Sequence, residues 1–293
     1  MQNIKNILSN PDNIPIVGLF FIMIFFVWLW WREARRNDRM IDNGEFDKIR
    51  AEAQDKIHVW PYLTRNEFLC SIAVMIVLTV WSIVLDAPLE EPANPSRTPN
   101  PSKAPWYFLG LQEMLVYFDP WIAGVVLPTI IIVGLMAIPY IDKNPKGNGY
   151  YTFKERKFAI TIFLFGFLVL WQSLIFLGTF MRGPGWNFFA PWEPWDVHKV
   201  VAMTNVDLHE HLGIRSKLGA GIFGAIVVGG YFSLGFIYYF LKKDKSELIK
   251  QLGVARFGVL AFLFLTMMAL PIKMFLRIAF NIKYIWVTPW FNV

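Results

Sequence analysis

The chain has 293 residues, 55% hydrophobic and 17% aromatic against 17% charged, with a mean hydropathy of +0.41. That balance is too apolar for a water-soluble domain of this length, and a bilayer is the natural solvent. The net charge of +6 is not a nucleic-acid signature, because Lys and Arg cluster beside hydrophobic runs and form no separate basic domain.

The first apolar run starts only after Pro15 and is followed by Arg32, Arg35 and Arg36, with no small-residue cleavage site, which is the wrong order for a signal peptide. A span needs about 20 apolar residues to cross the ~30 Å hydrocarbon core. Six stretches qualify: 14–31, 67–86, 121–141, 157–181, 218–241 and 253–277. The fold class is therefore an all-α integral membrane protein of about six transmembrane helices. Loops 32–66, 142–157 and 242–250 are rich in Lys and Arg, whereas 87–120 and 182–217 hold far fewer for their length. The positive-inside rule then places the three cation-rich loops in the cytoplasm and both termini outside. Cys70, the only cysteine, lies inside an apolar run and supplies neither a disulfide framework nor a zinc or iron–sulfur site.

The outer loop between the second and third spans carries six prolines within 87–105, which rule out a helix and favour an extended strap. Trp106 to Phe118 follows, free of proline and ending at Asp119-Pro120, and reads as a short helix at the outer interface, where Trp and Tyr are favoured. A second outer segment, 183–195, has the same aromatic and proline-rich character. In the last span Lys273 and Arg277 are spaced to share a face and snorkel to the surface, with a kink expected at Pro271. Gly224, Gly229, Gly230 and Gly235 offer small faces for helix packing in the fifth span.

Residues 86–118 resemble the quinol-oxidation loop of cytochrome b, in particular of subunit IV, the separate C-terminal half found where cytochrome b is split into two chains. Glu91-Pro92-Ala93-Asn94-Pro95 is similar to the Glu-Pro-Ala-Asp-Pro that opens that loop, and Trp106-Tyr107-Phe108 to the end of its Pro-Glu-Trp-Tyr-Phe signature. The resemblance covers about 60–181, a three-helix core with the quinol loop, between an N-terminal helix and linker (1–59) and an outer loop with two extra helices (182–293). One departure matters: Ala104-Pro105 stands where the family has Pro-Glu, so the usual proton-accepting glutamate is missing. Glu113, about two turns along the same helix from Trp106, is the candidate substitute. The alternative for Glu113 is an interfacial carboxylate or the partner of a cation in another subunit.

The resemblance implies a quinol, menaquinol or ubiquinol, bound by Ala104, Pro105, Trp106, Tyr107, Phe108 and Tyr117, with Glu90, Glu91 and Asp119 carrying protons outward. Without it, the three aromatics at 106–108 read as an ordinary interfacial belt. Axial haem ligation needs paired histidines on facing helices, and His58, His198, His209 and His211 all fall outside the predicted spans. No metal ligands are assigned in this chain. His209-Glu210-His211 reads as a solvated or subunit-contact segment more readily than a metal site. Haem b is expected in a partner, the N-terminal cytochrome b chain.

The function implied is a membrane subunit, not active alone, of a bacterial Rieske/cytochrome b complex that oxidises quinol and reduces cytochrome c. Its implied partners are the haem-bearing chain, a Rieske iron–sulfur protein and a c-type cytochrome, within a dimeric complex in the bacterial inner or another energy-conserving membrane. A non-catalytic anchor or assembly subunit is the rival. A secondary transporter is weaker, since the spans lack intramembrane charges near their middle and any visible inverted repeat.

Overall fold

The computed structural model describes residues 2–11, 13–54, 56–86, 89, 92–96, 99–146, 150–190, 192–196, 198–199 and 205–293. Its helices, in chain order, are α1 (Gln2–Ser9), α2 (Ile14–Asp42), α3 (Phe46–Gln54), α4 (Val59–Val84), α5 (Trp106–Met114), α6 (Ile122–Ile141), α7 (Lys154–Met181), α8 (Leu208–His211), α9 (Lys217–Lys242) and α10 (Glu247–Phe280). Among the described residues there is no strand, only isolated β-bridges. Six helices, α2, α4, α6, α7, α9 and α10, are long and apolar enough to cross a membrane. They coincide with the six expected spans, and several run past them. α2 continues through Arg32–Asp42 because hydropathy marks only the part in hydrocarbon, while Arg, Glu, Ala and Met prolong a helix equally well in water.

The chain forms two compact units, Met1–Pro99 with Pro145–Ile162 and Phe189–Trp195, and Asn100–Asn144 with Phe163–Phe188 and Asp196–Val293. In the first unit the polar end of α2 grips the start of α7. Asp38 accepts from the backbone N–H of Phe153 and Lys154, each at 3.2 Å. A carboxylate on these first amides satisfies donors that a helix start leaves open and complements its dipole. Asn37 donates to the Tyr151 carbonyl at 2.8 Å, the rings of Trp31 and Phe153 meet edge-on at 4.9 Å, and Lys154 pairs with Asp42. α4 has no buried residue at all, which leaves its whole apolar surface to lipid or other chains.

In the second unit α9 and α10 form an antiparallel pair. Phe232 stacks on Phe262 at 5.2 Å, and the Tyr231 hydroxyl donates to the Leu265 carbonyl at 2.7 Å. Of the four glycines expected to pack, Gly224 and Gly235 do: a Cβ would come within 2.5 Å of Trp286 Cα and 2.9 Å of Ala261 Cβ, respectively. Gly229 and Gly230 face open space.

α10 has one non-helical residue, Gly253 (φ 70, ψ 176), at a positive φ natural to glycine. Pro271 lies inside the helix, where it removes one hydrogen bond while its dihedrals stay helical. One expectation for α10 changes: Lys273 and Arg277 do not snorkel to the surface, being 2% and 8% exposed. The segment after Phe280 folds back as a hook. Lys273 donates to the Lys283 carbonyl, and Arg277 donates to the Asn281 carbonyl at 3.2 Å and to Asn205 Oδ1.

Candidate functional site

α5 starts immediately after Pro105 and lies on the second half of α7. Two glycines permit the close approach. A Cβ on Gly110 would meet the Trp171 ring at 3.2 Å, and one on Gly178 would meet Leu109 Cγ at 2.9 Å. The end of the proline strap is tied to the same helix. Gln112 accepts from Ala104 N–H and donates to the Ser102 carbonyl, both at 2.8 Å, so one side chain holds the two residues flanking Lys103. Lys103 donates to the Thr179 carbonyl at 2.8 Å, and Gly185 N–H donates to Asn100 Oδ1 at 2.5 Å.

Glu113 is the centre of this assembly and is fully buried. Arg182, just past the end of α7, reaches it with both arms of its guanidinium: Nη2 lies 2.7 Å from Oε1 and Nε 3.0 Å from Oε2. The Tyr117 hydroxyl donates to Oε1 at 2.9 Å, and Trp186 Nε1 donates to Oε2 at 3.2 Å. Arg182 Nη1 also donates to the Trp186 carbonyl at 3.1 Å. An ionised carboxylate is an acceptor only, and bidentate charge-assisted bonds of this kind are the strong ones. The cation that Glu113 pairs with is thus in this chain, where the sequence-based alternative had placed it in another subunit.

The surroundings shift the neighbouring groups. Burial, and then the Glu113 charge, raise the Tyr117 hydroxyl above its ordinary range. Burial works against the Arg182 charge, but the hydrogen bond and charge of Glu113 outweigh it and hold Arg182 above its ordinary value. Lys103 is pushed down to about 8 by burial, against the opposing pull of Glu113.

The residues expected to bind quinol divide into two sets. Tyr107 and Phe108 are each 53% exposed, Pro105 is exposed, and Ala104 and Trp106 are partly buried, whereas Tyr117 is buried with Glu113. The rings of Trp106, Tyr107 and Phe108 follow one another at 5.7 and 4.8 Å. Asp119 Oδ1 accepts from Trp121 N–H at 3.0 Å and, with Pro120 next, caps the start of the third spanning helix. Glu90 and Glu91 lie outside the described residues. Sequence reasoning passed over Arg182, Lys103, Gln112 and Trp186. Only Arg182 carries a readable signal, as a single charge directly after an apolar run.

None of the six spanning helices carries a histidine, so the donor set does not fit axial haem ligation between facing helices of this chain. Asp207, His209 and Glu210 bring ligand-type atoms within 4.8 Å of one another. Asp207 and Glu210 already have structural partners there: Glu210 Oε2 accepts from Asp207 N–H at 3.0 Å, and Asp207 Oδ1 accepts from Tyr284 N–H at 3.2 Å. Burial, and then the Glu210 charge, raise the Asp207 carboxyl above its ordinary value.

Residues 92–181, which include the end of the strap, α5, α6 and α7, match the family model for cytochrome b(C-terminal)/b6/petD. Over these residues the chain is cytochrome b C-terminal-like. It is also 28% identical over 174 residues to cytochrome b of Allochromatium vinosum, a stretch that covers 55% of this chain and 36% of that protein. The chain thus spans about a third of the length of the curated relative it matches. No solved structure matches it.

Proposed function

We propose that the chain is a subunit IV-like component of a Rieske/cytochrome b complex, and that the exposed aromatic face of α5 forms one wall of a quinol-oxidation pocket. The observation that carries this reading is the mounting of that face: Tyr107 and Phe108 point away from the chain while Glu113, one to two turns on, is bolted to Arg182 beneath them. A flat apolar wall held rigidly suits a quinone ring, and the Tyr107 hydroxyl offers a hydrogen bond to a ring oxygen. The remaining walls come from the haem-bearing N-terminal chain, whose haems supply the route for one electron across the membrane. The other electron leaves to a Rieske iron–sulfur protein and then a c-type cytochrome.

In this reading two protons leave the quinol on the outer face, and Asp119, Glu90 and Glu91 hand them to water. Glu113 acts chiefly by position. Its four bonds from Arg182, Tyr117 and Trp186 fill the carboxylate, so accepting a proton from quinol requires Arg182 to release it first. The chain sits in an energy-conserving membrane with its cation-rich loops inside.

The test is quinol–cytochrome c turnover in the purified complex. Phe108→Ala with Tyr107→Ala should lower kcat/KM roughly tenfold or more, the scale of lost ring packing, with haem spectra unchanged. Unchanged turnover removes α5 from the pocket. Purification of the chain without any haem-bearing partner or Rieske protein favours instead an anchor subunit of another complex.

A further inference from the structure

α6 and α10 leave an elongated hollow between them at the end that borders the cation-rich loops. A cavity of about 380 Å³ opens there, walled by Tyr140, Asp142, Lys143 and Arg256. An apolar groove of about 200 Å³ lies next to it and shares Val259 as a wall, with Gly134 and Ala137 on one side and Phe262 on the other. From Tyr140 back to Thr129, which lines the far part of the groove, α6 rises about 16 Å. Half of the ~30 Å hydrocarbon core is nearly the same depth. The hollow therefore reaches from one membrane interface to about the midplane, the thickness of a single leaflet.

The cavity is charged as well as open. Arg256 Nε donates to the Tyr140 carbonyl at 2.9 Å, which fixes the guanidinium at the rim and leaves both Nη groups without a bond among the described residues. Lys143 has no carboxylate partner among the described residues. Asp142 shares the wall and accepts from Asn144 N–H at 3.0 Å, so two cations face one carboxylate. A cavity with excess positive charge at its rim, adjoining an apolar groove one leaflet deep across Val259, has the two-part chemistry of a phospholipid.

We propose that this hollow binds an anionic phospholipid, with its phosphate between Arg256 and Lys143 and one acyl chain lying along the α6–α10 groove. The binding joins α10, outside the cytochrome b-like stretch, to α6 within it. It does not depend on quinol oxidation elsewhere in the chain. A neutral quinone would leave one of the two cations without a counter-charge, and a free phosphate would leave the groove empty.

Native mass spectrometry of the purified complex, in micelles doped with phosphatidylglycerol or phosphatidylcholine, tests it. Phosphatidylglycerol should survive detergent stripping and phosphatidylcholine should not. Arg256→Gln with Lys143→Gln should lower phosphatidylglycerol retention about tenfold, the scale of lost charge-assisted bonds, and Arg256→Lys should retain part of it. Ala137→Phe, which fills the groove, should lower retention with the head-group cations intact. Retention unchanged by the double glutamine variant, equal retention of the two lipids, or an isoprenoid quinone in place of phospholipid would each overturn the assignment. Both charge positions are exposed, so the outcome does not hang on whether the groove-filling variant folds.

Discussion

Arg182 and Lys273 are both buried cations of the second unit, and the chain accommodates them in opposite ways. Arg182 meets a carboxylate head-on, as a bidentate pair between the end of α7 and α5. Among the described residues Lys273 meets no carboxylate within ion-pair distance; it donates to the Lys283 carbonyl and lies over the rings of Phe118 and Tyr284 at 5.6 and 5.8 Å. Carbonyl oxygens and ring faces stabilise a cation more weakly than an ion does, but the Lys283 carbonyl and the Tyr284 ring come from chain that must fold back to supply them. The first solution fixes one helix against another. The second fixes the C-terminal hook.

Arg182→Met should produce the largest loss of stability, about 3–5 kcal/mol, because it leaves the buried Glu113 without its counter-ion, with only the Tyr117 and Trp186 hydrogen bonds remaining. Glu113→Gln keeps the shape and the Tyr117 contact and should cost less. Combining the two should recover most of the loss, since neither charge then needs solvation. Thermal unfolding of the detergent-purified protein checks the series; an additive double variant would mean that the two residues are not coupled.

Lys273→Met should cost clearly less than Arg182→Met, because it removes the buried charge and leaves only a carbonyl unsatisfied. Gly224→Ala probes the hook from the other side. Its new Cβ would come within 2.5 Å of Trp286 Cα, a backbone atom, so the hook must shift, at a cost of about 1–3 kcal/mol. Greater protease cleavage within 282–293 should accompany it. A Gly224→Ala protein with wild-type melting and cleavage would show that the hook is not seated on α9. Gly229→Ala, with nothing within 4 Å, is the control and should be close to neutral.

The contrast also marks where sequence reading reached and where it stopped. The six spans were legible because apolar length is a one-dimensional property, read off each stretch by itself. The start of α5 was legible in the same way, from the proline before it, but the helix stops at Met114 and turns, four residues short of the expected end at Phe118. The Glu113–Arg182 pair was not, since the two residues are 69 apart and nothing local says that the end of α7 returns to α5. Lys273 and Arg277 looked like surface anchors because the hook that buries them is a run of mixed residues with no period to detect. The break at Gly253 was not legible, because a glycine inside a helical run carries no mark of the φ it adopts.

The smallest effect concerns Lys103, which sits between the two solutions: it donates to a carbonyl, like Lys273, yet feels the charge of Glu113, as Arg182 does. Its folded-state value of about 8 lies below the ordinary 10.5. Below pH 8 both the folded and unfolded chains hold the proton, and the full cost of burying the charge is present. Between about 8 and 10.5 the unfolded chain binds more protons than the folded one, so this group makes stability rise with pH across that window. Lys103 is only partly buried, and water screens the effect to on the order of 1 kcal/mol. Lys103→Met should flatten that part of the pH dependence of thermal unfolding while leaving the loss caused by Arg182→Met in place. If the slope persists in the methionine variant, another group carries it, and Lys103 belongs with the solvated cations of the loops.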